Sequence, residues 1–346
     1  MRVLKALFIV IFIATVATAS AVFYVKNAVT TPLSINEPRL YKVIKGSNGY
    51  KLIKAMRNDG MITVSPLVAK IWLKWFAGNT QVKSGTFMLL PTDSLVDAFI
   101  KFTNGEEHLF SVSLIEGLTL AQWLGVLEST AGIDYDLDAT SIEAIVEGRS
   151  SSALQHIGLN DLLGDTPNYE GLFLADTYLF TQGTSASIIL ARAHDALIAF
   201  LNEQWETRQV ELPISSAYDA LILASIIEKE TAVASERSLI AGVFANRLTK
   251  NMRLQTDPTV IYGIGSSYGG NITRKHLRTA TPYNTYVIKG LPPTPIAMAG
   301  KAAINAALHP DDTDALYFVS KGDGTHKFST TLEEHNAAVR KYQLKR

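Results

Sequence analysis

The longest apolar run in the chain lies at its start. Residues 6–25 carry no charge over 20 positions, with Arg2 and Lys5 before them and Lys26 after. About 20 apolar residues of helix span the hydrocarbon core of a bilayer, so the run predicts a single transmembrane helix. Ala17-Thr18-Ala19 offers a small-residue cleavage site of the secretory-signal kind, but the run continues to Val25, beyond where a signal's hydrophobic region stops. An uncleaved anchor is therefore expected, with its positive end in the cytoplasm and the rest of the chain outside the membrane. Residues 1–26 are read as cytoplasmic tip and anchor. Residues 27–40, polar and holding Pro32 and Pro38, are read as a stalk on which little should pack.

After the stalk the period changes often. Short β-like runs at 41–44 and 83–90 alternate with helical patterns at 49–58, 66–76 and 94–102, which together predict a small mixed module over 41–106. Trp72, Trp75 and Phe76 fit core packing at helical spacing better than a saccharide platform. Asn104-Gly105 signals a turn, 109–115 alternates as a strand, and Thr119 opens a helix through Trp123. Residues 107–346 are read as one larger domain. Residues 150–152 are expected in a surface loop, helices are predicted at 187–205, 217–230 and 235–249, and the last 80 residues are expected to return to short strands and turns. The expected class is α+β: one membrane helix, a small module and a helix-rich larger domain.

Composition narrows the chemistry. Among 346 residues, Lys+Arg and Asp+Glu both number 32, so no global field favours nucleic acid, and none is expected as a partner. The absence of cysteine excludes disulfides and thiolate metal sites. The seven histidines include no pair at metal-ligand spacing, and no GxSxG, P-loop or complete GxGxxG occurs. No metal and no cofactor are expected.

The chemistry concentrates at 221–231. As a helix, this segment places Leu223, Ile226, Ile227 and Glu230 on one apolar face and Glu228 with Ser225 on the other. Glu230 is thus predicted to point inward and Glu228 outward. A carboxyl group against aliphatic side chains is disfavoured as an anion, so its pKa rises toward the range of a general acid. In the next helix Arg247 shares the apolar arc with Ile240, flanked by Asn246, which suggests a polar pocket between the two helices. An ion pair of Arg247 with Glu230 or Asp257 is the plainer alternative. Gln255, Thr256, Asp257 and Tyr262 supply donors and acceptors suited to sugar hydroxyls and N-acetyl groups, although Asp257-Pro258 equally suits a turn or helix cap. Tyr283, Asn284 and Tyr286 are candidates for lining a glycan groove.

The segments Leu221 to Arg237, Ala241-Gly-Val-Phe-Ala-Asn-Arg-Leu248 and Met252 to Gly265 closely resemble the signature of the YceG-like (MltG) family, the endolytic murein transglycosylases. The likeness extends to Thr281-Pro-Tyr-Asn-Thr-Tyr286, Gly290-Leu-Pro-Pro293, Leu316-Tyr-Phe-Val319 and His326-Lys-Phe328. It implies that Glu230 is the catalytic residue, with Thr231 where other lytic transglycosylases have serine after the glutamate. It implies cleavage between N-acetylmuramic acid and N-acetylglucosamine in peptidoglycan glycan strands, leaving 1,6-anhydro ends, with Asp257 the one competing carboxylate. It further implies a LysM-like module at 41–106, a place in the cytoplasmic (inner) membrane with the catalytic domain on the periplasmic side, and a peptidoglycan synthase as a plausible partner.

Overall fold

The computed structural model describes residues 2–149 and 168–344; the loop expected at 150–152 lies outside them. The chain divides into two compact units, one comprising residues up to Phe110 with Phe180–Gln182, the other Ser111–Leu179 with Gly183 onward. Helices and small sheets are mixed in both.

The first unit begins with α1 (Arg2–Thr30), whose apolar stretch is long enough to cross a membrane and is exposed over most of its length. Such a helix is compatible with an anchor or a signal sequence. Strand β1 (Arg39–Val43) pairs antiparallel with β2 (Gly85–Leu89), Tyr41 opposite Phe87. Between them run α2 (Gly49–Asn58) and α3 (Pro66–Trp75), and α4 (Leu95–Asn104) follows. Each helix starts where a short polar side chain takes an orphan N–H: Asn48 for α2, Ser65 before Pro66 for α3, and Ser94 in a capping box with Asp97 for α4. Trp72, Phe87, Phe99 and Phe102 form the aromatic centre, Trp72 meeting Phe99 edge-on at 4.9 Å.

Two expectations change here. The aromatic set splits, because Trp72 is buried while Trp75 is 71% exposed and Phe76 39%. The segment read as a bare stalk is packed: Val29 and Leu33 join the core beside Val25 of the anchor, and the Leu33 and Ser34 N–H groups donate to the carbonyls of Asp93 (2.7 Å) and Met61 (2.8 Å). Val25 and Val29 lie four residues apart on α1, so the helix carries one apolar side into the core.

In the second unit β3 (Phe110–Leu114) pairs with β5 (Asp176–Phe180), and β4 (Ile133–Asp134) pairs in parallel with β6 (Thr184–Ser185). Helices α5 (Leu120–Ser129) and α6 (Ala139–Arg149) lie between them in sequence, and α7 (Ala186–Glu206) follows. Helix α8 (Ala217–Glu230) is central, packing on α7, α9 (Arg237–Thr249), α10 (Asp257–Ile264) and α12 (Lys301–Leu308), with α11 (Arg274–Arg278) beside α10. The antiparallel pair β7 (Tyr317–Ser320) and β8 (His326–Ser329) is covered by α13 (Leu332–Tyr342). The strand expected near 316–320 is present as β7, but the expectation of only short strands and turns there is corrected, since α11, α12 and α13 are helices. Gly242 on α9 has a structural reason: a Cβ there would lie 2.5 Å from the Asp311 carbonyl oxygen.

Candidate active site

Ser216 caps α8 and pairs with Asp219 in a capping box, which fixes where the helix begins and brings its last residue, Glu230, to an open cleft. The cleft has a volume of about 530 Å³ and is lined by Glu230, Arg247, Gln255, Thr256, Asp257 and Tyr286. Strands β7 and β8 and helix α13 complete the lining with Tyr317, Phe318, His326 and Asn336.

Thr256 is the contact that defines Glu230. Its buried hydroxyl donates a short hydrogen bond to Oε1 of the glutamate. Thr256 is itself fixed: its N–H donates to Thr285 Oγ1 (3.1 Å), its carbonyl accepts from Thr259 Oγ1 (2.8 Å), and the two latter hydroxyls lie 2.8 Å apart. Gln255, just before it, adopts a left-handed φ of 52°, a strained conformation for a residue with a side chain. Burial pushes the Glu230 carboxyl up from its ordinary titration range. The Asp257 charge adds to that rise, while the Thr256 bond, His326 and Arg247 oppose it. The carboxyl also ends a helix, where the dipole disfavours a negative charge.

Arg247 makes neither of the ion pairs considered from sequence. Its guanidinium donates to the carbonyls of Leu316 (2.7 Å), Leu254 (2.6 Å) and Arg253 (3.3 Å), joining the loop that carries Thr256 to the start of β7, and it lies over the Tyr317 ring. Asp257 accepts the Tyr286 hydroxyl at 2.7 Å; burial first, and that contact after it, raise the phenol's pKa.

The remaining candidates lie elsewhere. Thr231 turns its hydroxyl to the Val233 N–H (2.9 Å), and Asn246 holds the carbonyls of Thr313 and Ala315. Buried Asn284 closes a turn through the carbonyls of His276 and Thr279. Tyr262 and Tyr283 meet at 4.9 Å in a separate cluster with Asn168, Thr294 and Glu170. Glu228 departs from its expected outward position. It is largely buried, accepts the Gly300 N–H at 2.9 Å before α12, and lies 4.0 Å from Arg237. Helix α8 is wrapped by its neighbours, so its second face is not a solvent face.

Sequence reasoning did not place β7, β8 and α13 at the cleft. His326 lines it with its ring Nδ1 2.7 Å from Glu236 Oε2 and its backbone N–H donating to the same carboxylate at 3.0 Å. That arrangement makes Nδ1 the donor and fixes the ring. The signal available in the sequence was the motif His326-Lys-Phe328.

A half-buried carboxyl lining a polar cleft, steadied by a neutral hydroxyl and with tyrosines beside it, has the make-up of a general acid/base site in a mixed α/β scaffold. The chain belongs to the YceG-like family, whose sequence model matches residues 41–341. It is 36% identical over 255 residues to the endolytic murein transglycosylase of Bacillus subtilis, covering 71% of this chain and 69% of that protein. It is 26% identical over 318 residues to the endolytic murein transglycosylase of Streptococcus pneumoniae, covering 85% of this chain but 56% of that longer protein. The 2.6 Å crystal structure of a YceG-like protein from Listeria monocytogenes superposes with a TM-score of 0.54 at 30% identity, over 88% of this chain and 99% of that one.

Proposed function

We propose that the chain is a membrane-anchored endolytic lytic transglycosylase that cuts the bond between N-acetylmuramic acid and N-acetylglucosamine in peptidoglycan strands. The observation that carries this reading is the Glu230 carboxyl, half-buried in the lining of an open cleft and hydrogen-bonded by Thr256. A raised pKa keeps the acid protonated for its first task. Glu230 gives its proton to the bridging oxygen as the C1–O bond breaks. The muramic C6 hydroxyl then bonds to C1, and its proton returns to the carboxylate. The sugar ends as the 1,6-anhydro form, and the enzyme is regenerated without water. An internal nucleophile has the effective-molarity advantage that an outside water lacks.

Residues 41–106 of the first unit are proposed as a LysM-like glycan-binding module. Its small groove lined by Tyr50, Lys54, Arg57 and Asn58 offers polar contacts beside an aromatic ring. Anchoring by α1 would confine cleavage to nascent strands next to the membrane, beside a peptidoglycan synthase. A second reading, hydrolysis, draws support from Asp257, which lines the same cleft and would serve as partner carboxylate.

Digestion of purified glycan strands in ¹⁸O-labelled water separates the two. Mass spectrometry of the new muramic ends should show unlabelled anhydro termini. Labelled reducing ends as the main product would overturn the lytic mechanism and assign Asp257 to catalysis.

A further inference from the structure

The end of α3 lies against the anchor helix at a height where solvent is not expected. Thr18, Ala21, Val22 and Val25 of α1 form an apolar groove with Ile71, Trp75 and Phe76. All four α1 residues lie inside the uncharged run of residues 6–25. At 1.5 Å per residue the run is about 30 Å long, the full thickness of a hydrocarbon core, and Thr18 sits about 12 Å below Lys26. A bilayer matched to this run therefore reaches Trp75 and Phe76.

The side chains suit that position. Leu67, Ile71 and Trp75 repeat every fourth residue along one side of α3; Leu67 is 68% exposed and Trp75 71%, while Trp72 on the other side is buried. Lys74 Nζ lies 5.3 Å from the Trp75 ring centre and Lys70 Nζ 5.4 Å from that of Tyr50, so two cations border the apolar stripe. Tryptophan at the membrane boundary and lysines whose stems lie on apolar surface while their charges reach headgroups form a recurrent interfacial pattern.

We propose that α3 is seated in the outer leaflet of the bilayer, with Trp75 and Phe76 among the acyl chains beside α1 and Lys70 and Lys74 at the headgroups. The first unit would then be held at a fixed height and rotation on the membrane rather than swinging on a tether. This inference rests on the reading of α1 as an uncleaved transmembrane helix.

The chain has no cysteine, so one introduced cysteine takes one nitroxide label. Trp75→Cys, Phe76→Cys, Phe12→Cys and Val210→Cys would each be made in the full chain and reconstituted into vesicles of phosphatidylethanolamine and phosphatidylglycerol. Val210, 85% exposed in the second unit, is the aqueous reference, and Phe12 reports the anchor itself. Collision rates with oxygen and with a water-soluble nickel chelate would be read by electron paramagnetic resonance. Labels at 75 and 76 should meet nickel several-fold less often than the label at 210, and oxygen more often. If 75 and 76 behave like 210 while 12 is shielded, the anchor stands and the seating is overturned. Nickel access at 12 as well would remove the anchor and the seating with it.

Discussion

Burial pushes three carboxyl groups of the larger unit up from their ordinary titration range, Glu170, Glu228 and Glu230, and the first and last of these sit in settings that otherwise differ. Glu230 looks into a cleft of about 530 Å³ and takes one hydroxyl donor from Thr256. Glu170 lies outside that cleft, accepts the Leu120 N–H at the start of α5 and the Tyr262 hydroxyl, and is pushed from 4.5 to about 7. Burial supplies the perturbation in both, but only one has room beside it for a sugar ring. A perturbed pKa marks a functional group only when open space and a spare proton site accompany it. In the Glu170 cluster, Asn168, Tyr262, Tyr283 and Thr294 hydrogen-bond mainly to one another and fix the start of α5.

The comparison is tested most severely at Glu230. Glu230→Gln keeps the shape but cannot shuttle a proton, and glycan cleavage should fall by at least ~10²–10⁴ in rate. Above neutral pH its thermal midpoint should equal or exceed that of the unsubstituted protein, because a carboxyl with a raised folded pKa loses stability as pH rises and glutamine does not titrate. A folded and active Glu230→Gln would end the assignment.

Thr256→Val should reduce kcat/KM by roughly tenfold or more, the scale of one hydrogen bond to a charged group. Loss of the donor destabilises the carboxylate, so Glu230 titrates still higher and the alkaline limb of the pH profile moves upward. Thr256→Ser should restore both rate and limb. A profile unmoved by Thr256→Val would show that the hydroxyl only packs.

The smallest effect on activity belongs to Glu170. Glu170→Gln should leave cleavage nearly unchanged but alter the dependence of stability on pH. With its folded pKa raised to about 7, Glu170 contributes a loss of stability that begins near 4.5 and levels off above about 7. The substituted protein should gain on the original across that window by up to roughly 3 kcal/mol, read from denaturant midpoints. If Glu170→Gln instead abolished cleavage without unfolding, the two carboxyls would not be as different as their surroundings make them.

The side on which Glu230 sits was legible because the helical period puts it on the apolar face of Leu223, Ile226 and Ile227, and α8 forms over that segment. The same amphipathic reasoning failed for Glu228, because it assumes one wet face and α8 has packed neighbours around it. Helix α13 left a signal in its Thr331–Glu334 capping box, whereas α12, short and rich in alanine, has no polar face strong enough to show a period. The part of the cleft supplied by β7, β8 and α13 was out of reach for another reason. That His326 lines the same cleft as Glu230 depends on packing between elements 96 positions apart, which no local pattern encodes. The uncharged run of α1 was plain, but its continuation into the first unit's core depended on Val25 and Val29 meeting α3 and α4.

The wall formed by β7, β8 and α13 also has a consequence in time. Glu230 and Thr256 leave the ribosome well before Tyr317, His326 and Asn336, so during synthesis the carboxyl exists before the residues that complete its cleft. The cleft is finished only when α13 docks on β7 and β8. A chain ended before α13 would carry Glu230 and Thr256 in an incomplete cleft.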